Sequence, residues 1–147
     1  MSLQVWLPLI NNIDNNGLTN TVFKNNQTLT QSQNGKLGSC YELKSGATLC
    51  CPNFTALNTT DSFSACCWVK FTAFPADGSN AYCISLNNTS ASVYKFFMGI
   101  YSANGTTANF RLNARNPIGT LVLNTWYHLA VCITGSTGYM YINGELV

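Results

Sequence analysis

A chain of 147 residues with 46% hydrophobic content holds enough apolar mass for one packed core, which excludes a disordered polymer. Charged residues make up only 8%, against about a quarter in ordinary globular chains, and Asn, Thr and Ser take their place. The net charge of +2, with no cluster of Lys or Arg, excludes an electrostatic nucleic-acid surface, and no apolar run is long enough to span a membrane.

The opening, Met1 to Ile10, is apolar but lacks a basic leader and a small-residue cleavage site, so it reads as a strand over Leu3 to Leu9 with Pro8 at its end. Asn11 to Asn20 carries loop chemistry. Thr21 to Phe23 and Gln27 to Thr30 read as short strands, and Asn34-Gly35 as a turn before strands at Leu37 to Leu43 and Thr48 to Cys51. The clearest alternation follows: Phe63, Ala65, Cys67, Val69 and Phe71 on one face, with Ser64, Cys66, Trp68 and Lys70 on the other. Ala81 to Leu86 is a further strand, stopped by Asn87-Asn88. Tyr94 to Tyr101 and Ala108 to Ala114 flank Asn104-Gly105 and predict a hairpin. Tyr127 to Thr134 alternates Tyr127, Leu129, Val131 and Ile133 against His128, Ala130, Cys132 and Thr134. Tyr139 to Ile142 comes next, and Asn143-Gly144 turns it back toward Leu146-Val147. No helical period persists beyond two turns. Short strands at regular spacing predict an all-β sandwich or barrel, with residues 1–147 as a single domain.

The seven cysteines, Cys40, Cys50, Cys51, Cys66, Cys67, Cys83 and Cys132, are an odd number, so they cannot all pair within one chain. With no C-x-x-C pair and one histidine, a zinc site is not expected. The expectation is of small buried hydrophobes, reduced in a protein assembled in a cytoplasm, with a structural disulfide as the alternative.

Two segments carry a family resemblance. Phe63-Ser64-Ala65-Cys66-Cys67-Trp68-Val69-Lys70 resembles the F-[ST]-x-x-x-W-[VI]-K strand of laminin-G-like, concanavalin-type domains. Trp126-Tyr127-His128-Leu129-Ala130, followed by Tyr141-Ile142-Asn143-Gly144, resembles that family's W-x-H-[LIV]-A strand and Y-[IV]-N-G hairpin. The opening, with Trp6-Leu7-Pro8-Leu9, Asp14, Gly17-Leu18 and Asn34 to Tyr41, is similar to phage structural proteins that carry this domain. The resemblance implies a concanavalin A-like jelly-roll sandwich in which Trp68 and Trp126 hold the sheets together. In the family, closing strands follow the N-G hairpin and lie beside the first strand, whereas here the sequence ends at Val147. Three expectations stay open: a different closure, strands supplied by another chain, or a fragment. An uncovered edge at Leu3 to Leu9 would call for a partner strand.

Family glucanases use two carboxylates on one strand, and glycoside hydrolysis needs such a pair. Asp14, Glu42, Asp61, Asp77 and Glu145 offer none at that spacing, so no enzyme is expected. His128 is read as structural within its strand motif. Asp77-Gly78-Ser79-Asn80 could offer oxygens to Ca²⁺ but matches no calcium-loop signature, so a plain turn and no cofactor are expected. The Asn-x-Ser/Thr triplets follow from the Asn- and Thr-rich composition.

The ligand face, if there is one, is placed on the hairpin. With Phe110, Leu112 and Ala114 facing the core, Asn109, Arg111, Asn113 and Arg115 face outward, and Lys95, Phe97 and Tyr101 share a face of the partner strand with a gap at Gly99. Flat rings beside amides and a guanidinium suit sugar rings. The functional expectation is a non-catalytic phage virion module of tail, fibre or capsid surface. It would bind cell-surface glycans, other virion proteins or its own copies, in a particle assembled in the host cytoplasm. The alternative is a carbohydrate-binding module of a bacterial surface or secreted, extracellular protein.

Overall fold

The structure, a computed structural model, describes residues 24–25, 29–44, 47, 49–50, 62–87, 94–113 and 118–147. The chain forms two compact units, Met1–Asn58 and Thr59–Val147. Every regular element among the described residues is a strand. The expected strands at Leu3 to Leu9 and Thr21 to Phe23 lie outside the described residues.

In the first unit, β1 (Lys24–Asn25) pairs antiparallel with β4 (Leu49–Cys50), and β2 (Thr30–Gly35) with β3 (Gly38–Glu42). Asn34-Gly35 is not the turn. The turn sits two residues later, at Lys36-Leu37, and Gly35 pairs with Gly38 across it. A side chain at Gly35 would meet the Gly38 carbonyl at 2.3 Å, so this glycine serves a close backbone crossing rather than a turn conformation.

The second unit holds two four-stranded antiparallel sheets. Its C-terminal sheet runs β12-β11-β10-β5, from β5 (Phe63–Lys70), β10 (Trp126–Thr134), β11 (Thr137–Ile142) and β12 (Glu145–Leu146). Its central sheet runs β6-β7-β8-β9, from β6 (Ser79–Asn87), β7 (Tyr94–Ser102), β8 (Ala108–Leu112) and β9 (Ile118–Leu121). The four-residue β9 was not foreseen from the sequence, because Gly119 at φ 67 interrupts any alternation there.

The period-2 pattern decides what lies between the sheets. From the C-terminal sheet come Phe63, Tyr127, Leu129, Val131 and Met140; from the central sheet come Phe96, Met98, Ile100, Ala108, Phe110, Leu112 and Leu121, all buried. Phe63 and Phe96 meet edge to face, centroids 5.0 Å apart, and so join β5 to β7. Each Leu- or Phe-sized side chain buried this way contributes about 1.5–3 kcal/mol.

The tryptophans correct the expectation drawn from the resemblance. Trp68 and Trp126 stand on the even-numbered positions of β5 and β10, whose odd-numbered positions fill the core, so both point to the outer face of the C-terminal sheet. Trp68 is 40% exposed and lies 5.2 Å from the His128 ring; Trp126 is half-buried, with the Lys70 ammonium 5.3 Å from its ring.

The turns explain two motifs. Asn143 and Gly144 both have positive φ, 53° and 89°, as a tight hairpin turn requires. The Asn143 backbone N–H donates to the His128 carbonyl at 2.8 Å, and its side-chain oxygen accepts from the His128 N–H at 2.9 Å. This double bond to one residue ties the N-G hairpin to the start of β10. In the β7–β8 loop, the Asn104 side-chain oxygen accepts from the backbone N–H and hydroxyl of both Thr106 and Thr107, with Gly105 at φ 68. The buried Ser102 hydroxyl donates to the Thr107 carbonyl and accepts from the Gly105 N–H.

Candidate functional site

The outer face of the central sheet is a grid set by strand register. One row runs Asn80, Tyr101, Asn109, Thr120 across β6, β7, β8 and β9; the next runs Tyr82, Gly99, Arg111; the third brings Ser85 beside Phe97. Phe97, Tyr101, Asn109 and Arg111 therefore share one face, and Asn113 follows at the end of β8. Lys95 lies in β7, two residues before Phe97, and its side chain lies outside the described residues.

The sequence reading did not include Asn80 and Tyr82. A bulge at Cys83, between Tyr82 and Ile84, breaks the alternation of β6 and shifts its parity, so no period-2 count carries through the strand. The bulge also fills the gap expected at Gly99. A side-chain carbon there would stand 2.2 Å from the Ala81 carbonyl oxygen and 2.9 Å from the Tyr82 Cα. Backbone occupies the space, and the Tyr82 ring packs against Phe97 with centroids 4.9 Å apart.

Arg111 is held in place. Its Nε donates to the Asn113 carbonyl at 3.0 Å, its Nη1 donates to the Asn80 side-chain oxygen at 3.1 Å, and its guanidinium carbon lies 5.2 Å from the Tyr101 ring centroid. Asn113, at φ 50, closes the end of β8: its backbone N–H donates to the Phe97 carbonyl at 3.0 Å and its side-chain oxygen accepts from the Phe97 N–H at 2.7 Å. Asn109 donates from its side-chain nitrogen to the Gly119 carbonyl at 3.3 Å. Both asparagines thus spend polar atoms on the fold, Asn109 from a position on the face and Asn113 from the turn that ends β8.

Two thiols, Cys66 and Cys67, are shifted away from nucleophilic character. Cys67 faces inward from β5 and its thiol is pushed well above the ordinary range, first by a hydrogen bond with Cys83, then by burial. Burial is also the main cause that raises Cys66, followed by its thiol neighbours Cys67 and Cys132. A reactive cysteine needs the opposite shift. Cys40, Cys66, Cys67, Cys83 and Cys132 are free thiols. Among the described residues, no three His, Cys, Asp or Glu side chains gather as a metal site. Asp77-Gly78 forms the turn ahead of β6, with Gly78 at φ 70 and the Ser79 N–H donating to the Ala76 carbonyl.

A family model described as the concanavalin A-like lectin/glucanases superfamily matches residues 43–147. No curated protein and no solved structure matches the chain significantly.

Proposed function

The chain belongs to the concanavalin A-like lectin/glucanase superfamily, and from that premise we propose that it is a non-catalytic carbohydrate-binding module whose ligand lies on the outer face of the central sheet. The supporting observation is the pairing of two exposed-side aromatic rings, Tyr82 and Phe97, with a fixed Arg111 and the amides of Asn80 and Asn109 in adjacent rows. A sugar ring presents an apolar face for such rings and hydroxyls for such donors and acceptors. Asn80, Tyr82, Phe97, Tyr101, Asn109, Arg111 and Asn113 include no carboxylate, so these residues offer neither the acid nor the base that hydrolysis requires. Titration with an oligosaccharide panel tests the reading. Binding should weaken roughly two- to tenfold on replacing either Tyr82 or Phe97 by Ala. Unchanged binding in both variants would place the ligand elsewhere, and release of reducing ends would overturn the non-catalytic part.

The setting proposed is a phage particle, on the strength of the opening's likeness to phage structural proteins. Mass spectrometry of purified virions checks it. A second reading, contact with neighbouring subunits, is favoured by the outer face of the C-terminal sheet, where Trp68, Tyr139 and Leu146 are 40%, 44% and 62% exposed. Concentration-dependent light scattering that disappears in a Trp68→Ser, Tyr139→Ser variant would support this contact.

A further inference from the structure

We propose that the sugar taken by the central-sheet face is acidic, and that Arg111 receives its carboxylate; this rests on the carbohydrate reading above. Arg111 is the one charged side chain among the described residues of that face, and both of its hydrogen-bond partners, the Asn113 carbonyl and the Asn80 amide oxygen, are neutral. No ion pair to it occurs among the described residues. Its Nε and Nη1 are engaged, while Nη2 makes no hydrogen bond among the described residues. Arg111 as a residue is half-buried, with its guanidinium beside the Tyr101 ring. A flexible surface cation would lose side-chain entropy on meeting an anion; one already fixed by two hydrogen bonds and a ring has lost it on folding.

The register supplies the spacing. Tyr82 and Arg111 flank Gly99 in one row, two strand spacings or about 10 Å apart. Gly99 adds no side chain between them. A pyranose lying against Tyr82 and Phe97 would direct an exocyclic carboxylate toward Nη2. A planar carboxylate matches the planar fork of Arg, and the neutral surroundings leave the charge uncompensated until it arrives. A neutral sugar would use the same rings and amides but would gain nothing from the charge.

Matched probes test this. Trigalacturonate, a mannuronate trimer and sialyllactose are each titrated at low salt beside their own methyl esters, which keep the shape and remove the charge. At least one acid should bind about tenfold or more tightly than its ester. Arg111→Gln should bring acid and ester within about twofold of each other, with Arg111→Lys intermediate because it keeps charge without the fork. Thermal melts confirm that each variant is folded, and Arg111→Lys serves if Arg111→Gln is not. Esters bound as tightly as acids, or a sulfated galactan trimer bound more tightly than every carboxylate, would overturn the assignment to a carboxylate while the aromatic platform stands. Failure of acids, esters and neutral sugars alike would overturn both readings.

Discussion

Replacing Gly99 by Ala adds one methyl group and should damage both the fold and the binding face. The new carbon would lie 2.2 Å from the Ala81 carbonyl oxygen and 2.9 Å from the Tyr82 Cα. Ordinary contact begins at about 3.4 Å, so β6 must retreat by more than an ångström. The obstacle is backbone, which cannot rotate away as a side chain can. Because β6 is the outer strand of the central sheet, its least costly response is to loosen from β7 around the Cys83 bulge. Overpacking of this kind costs about 1–3 kcal/mol. For a unit of this size, a loss of 1 kcal/mol lowers the melting temperature by roughly 4–8 °C. The Tyr82 and Phe97 rings, 4.9 Å apart, should separate, which weakens the near-ultraviolet circular dichroism they generate together and weakens sugar binding. Thr120→Ala, exposed on the same face, is the control and should stay within about 0.5 kcal/mol. A Gly99→Ala protein as stable as the parent, with unchanged aromatic dichroism, would show that β6 does not cross Gly99 as described.

Denaturant titration should rank core against face: Phe110→Ala, fully buried, should cost about 3–5 kcal/mol and Trp68→Ala less, because its loss opens no cavity between the sheets. Asn143→Ala should cost about 1–3 kcal/mol, since it removes the acceptor of the His128 N–H and leaves an alanine at φ 53; Asn143→Gly, which keeps the turn, should recover part of this in thermal melts. Cys67 should make the protein alkali-sensitive. Its folded thiol ionises above its ordinary value of 9.0, so the unfolded chain gives up that proton first; stability is fully present below that value and falls as pH rises toward the folded value. Cys67→Ala should flatten the melting temperature above pH 9.0 relative to the parent, and an identical slope in both proteins would assign the loss to other groups.

The strands that were legible are those with one buried and one open face. In β5 and β10 every odd-numbered position faces the core, so alternation alone placed Phe63, Tyr127, Leu129 and Val131 inside. That same alternation already put Trp68 and Trp126 on the opposite face. The resemblance led to the contrary expectation, because a large aromatic in a family motif was read as core. Size measures how much a residue gains when buried; parity decides whether it is buried. The turn residues were legible where they must adopt positive φ, as at Asn143-Gly144 and Gly105, and misread where a glycine answers a close approach, as at Gly35 and Gly99. Composition is the same in the two cases, and only the neighbouring backbone tells them apart.

The platform was half legible for the same reason. Phe97, Tyr101, Asn109 and Arg111 lie on β7 and β8, which pair without a slip from Met98 to Ser102, so counting by two carries from one strand to the next. Asn80 and Tyr82 lie beyond the bulge, where one extra residue reverses the count. Yet the face uses both of them: Tyr82 packs against Phe97, and Asn80 in the neighbouring row holds Arg111. The irregularity that hid these two residues from the sequence pattern takes up one residue, Cys83, and so leaves Asn80, Tyr82 and Ser85 all on this face. Deleting Cys83 should restore simple alternation to β6 with Tyr82 still opposite Gly99 and Ser85 still opposite Phe97, so sugar binding should survive while the Cys67 thiol loses its hydrogen-bond partner; lost binding in a folded variant would show that the bulge itself shapes the face.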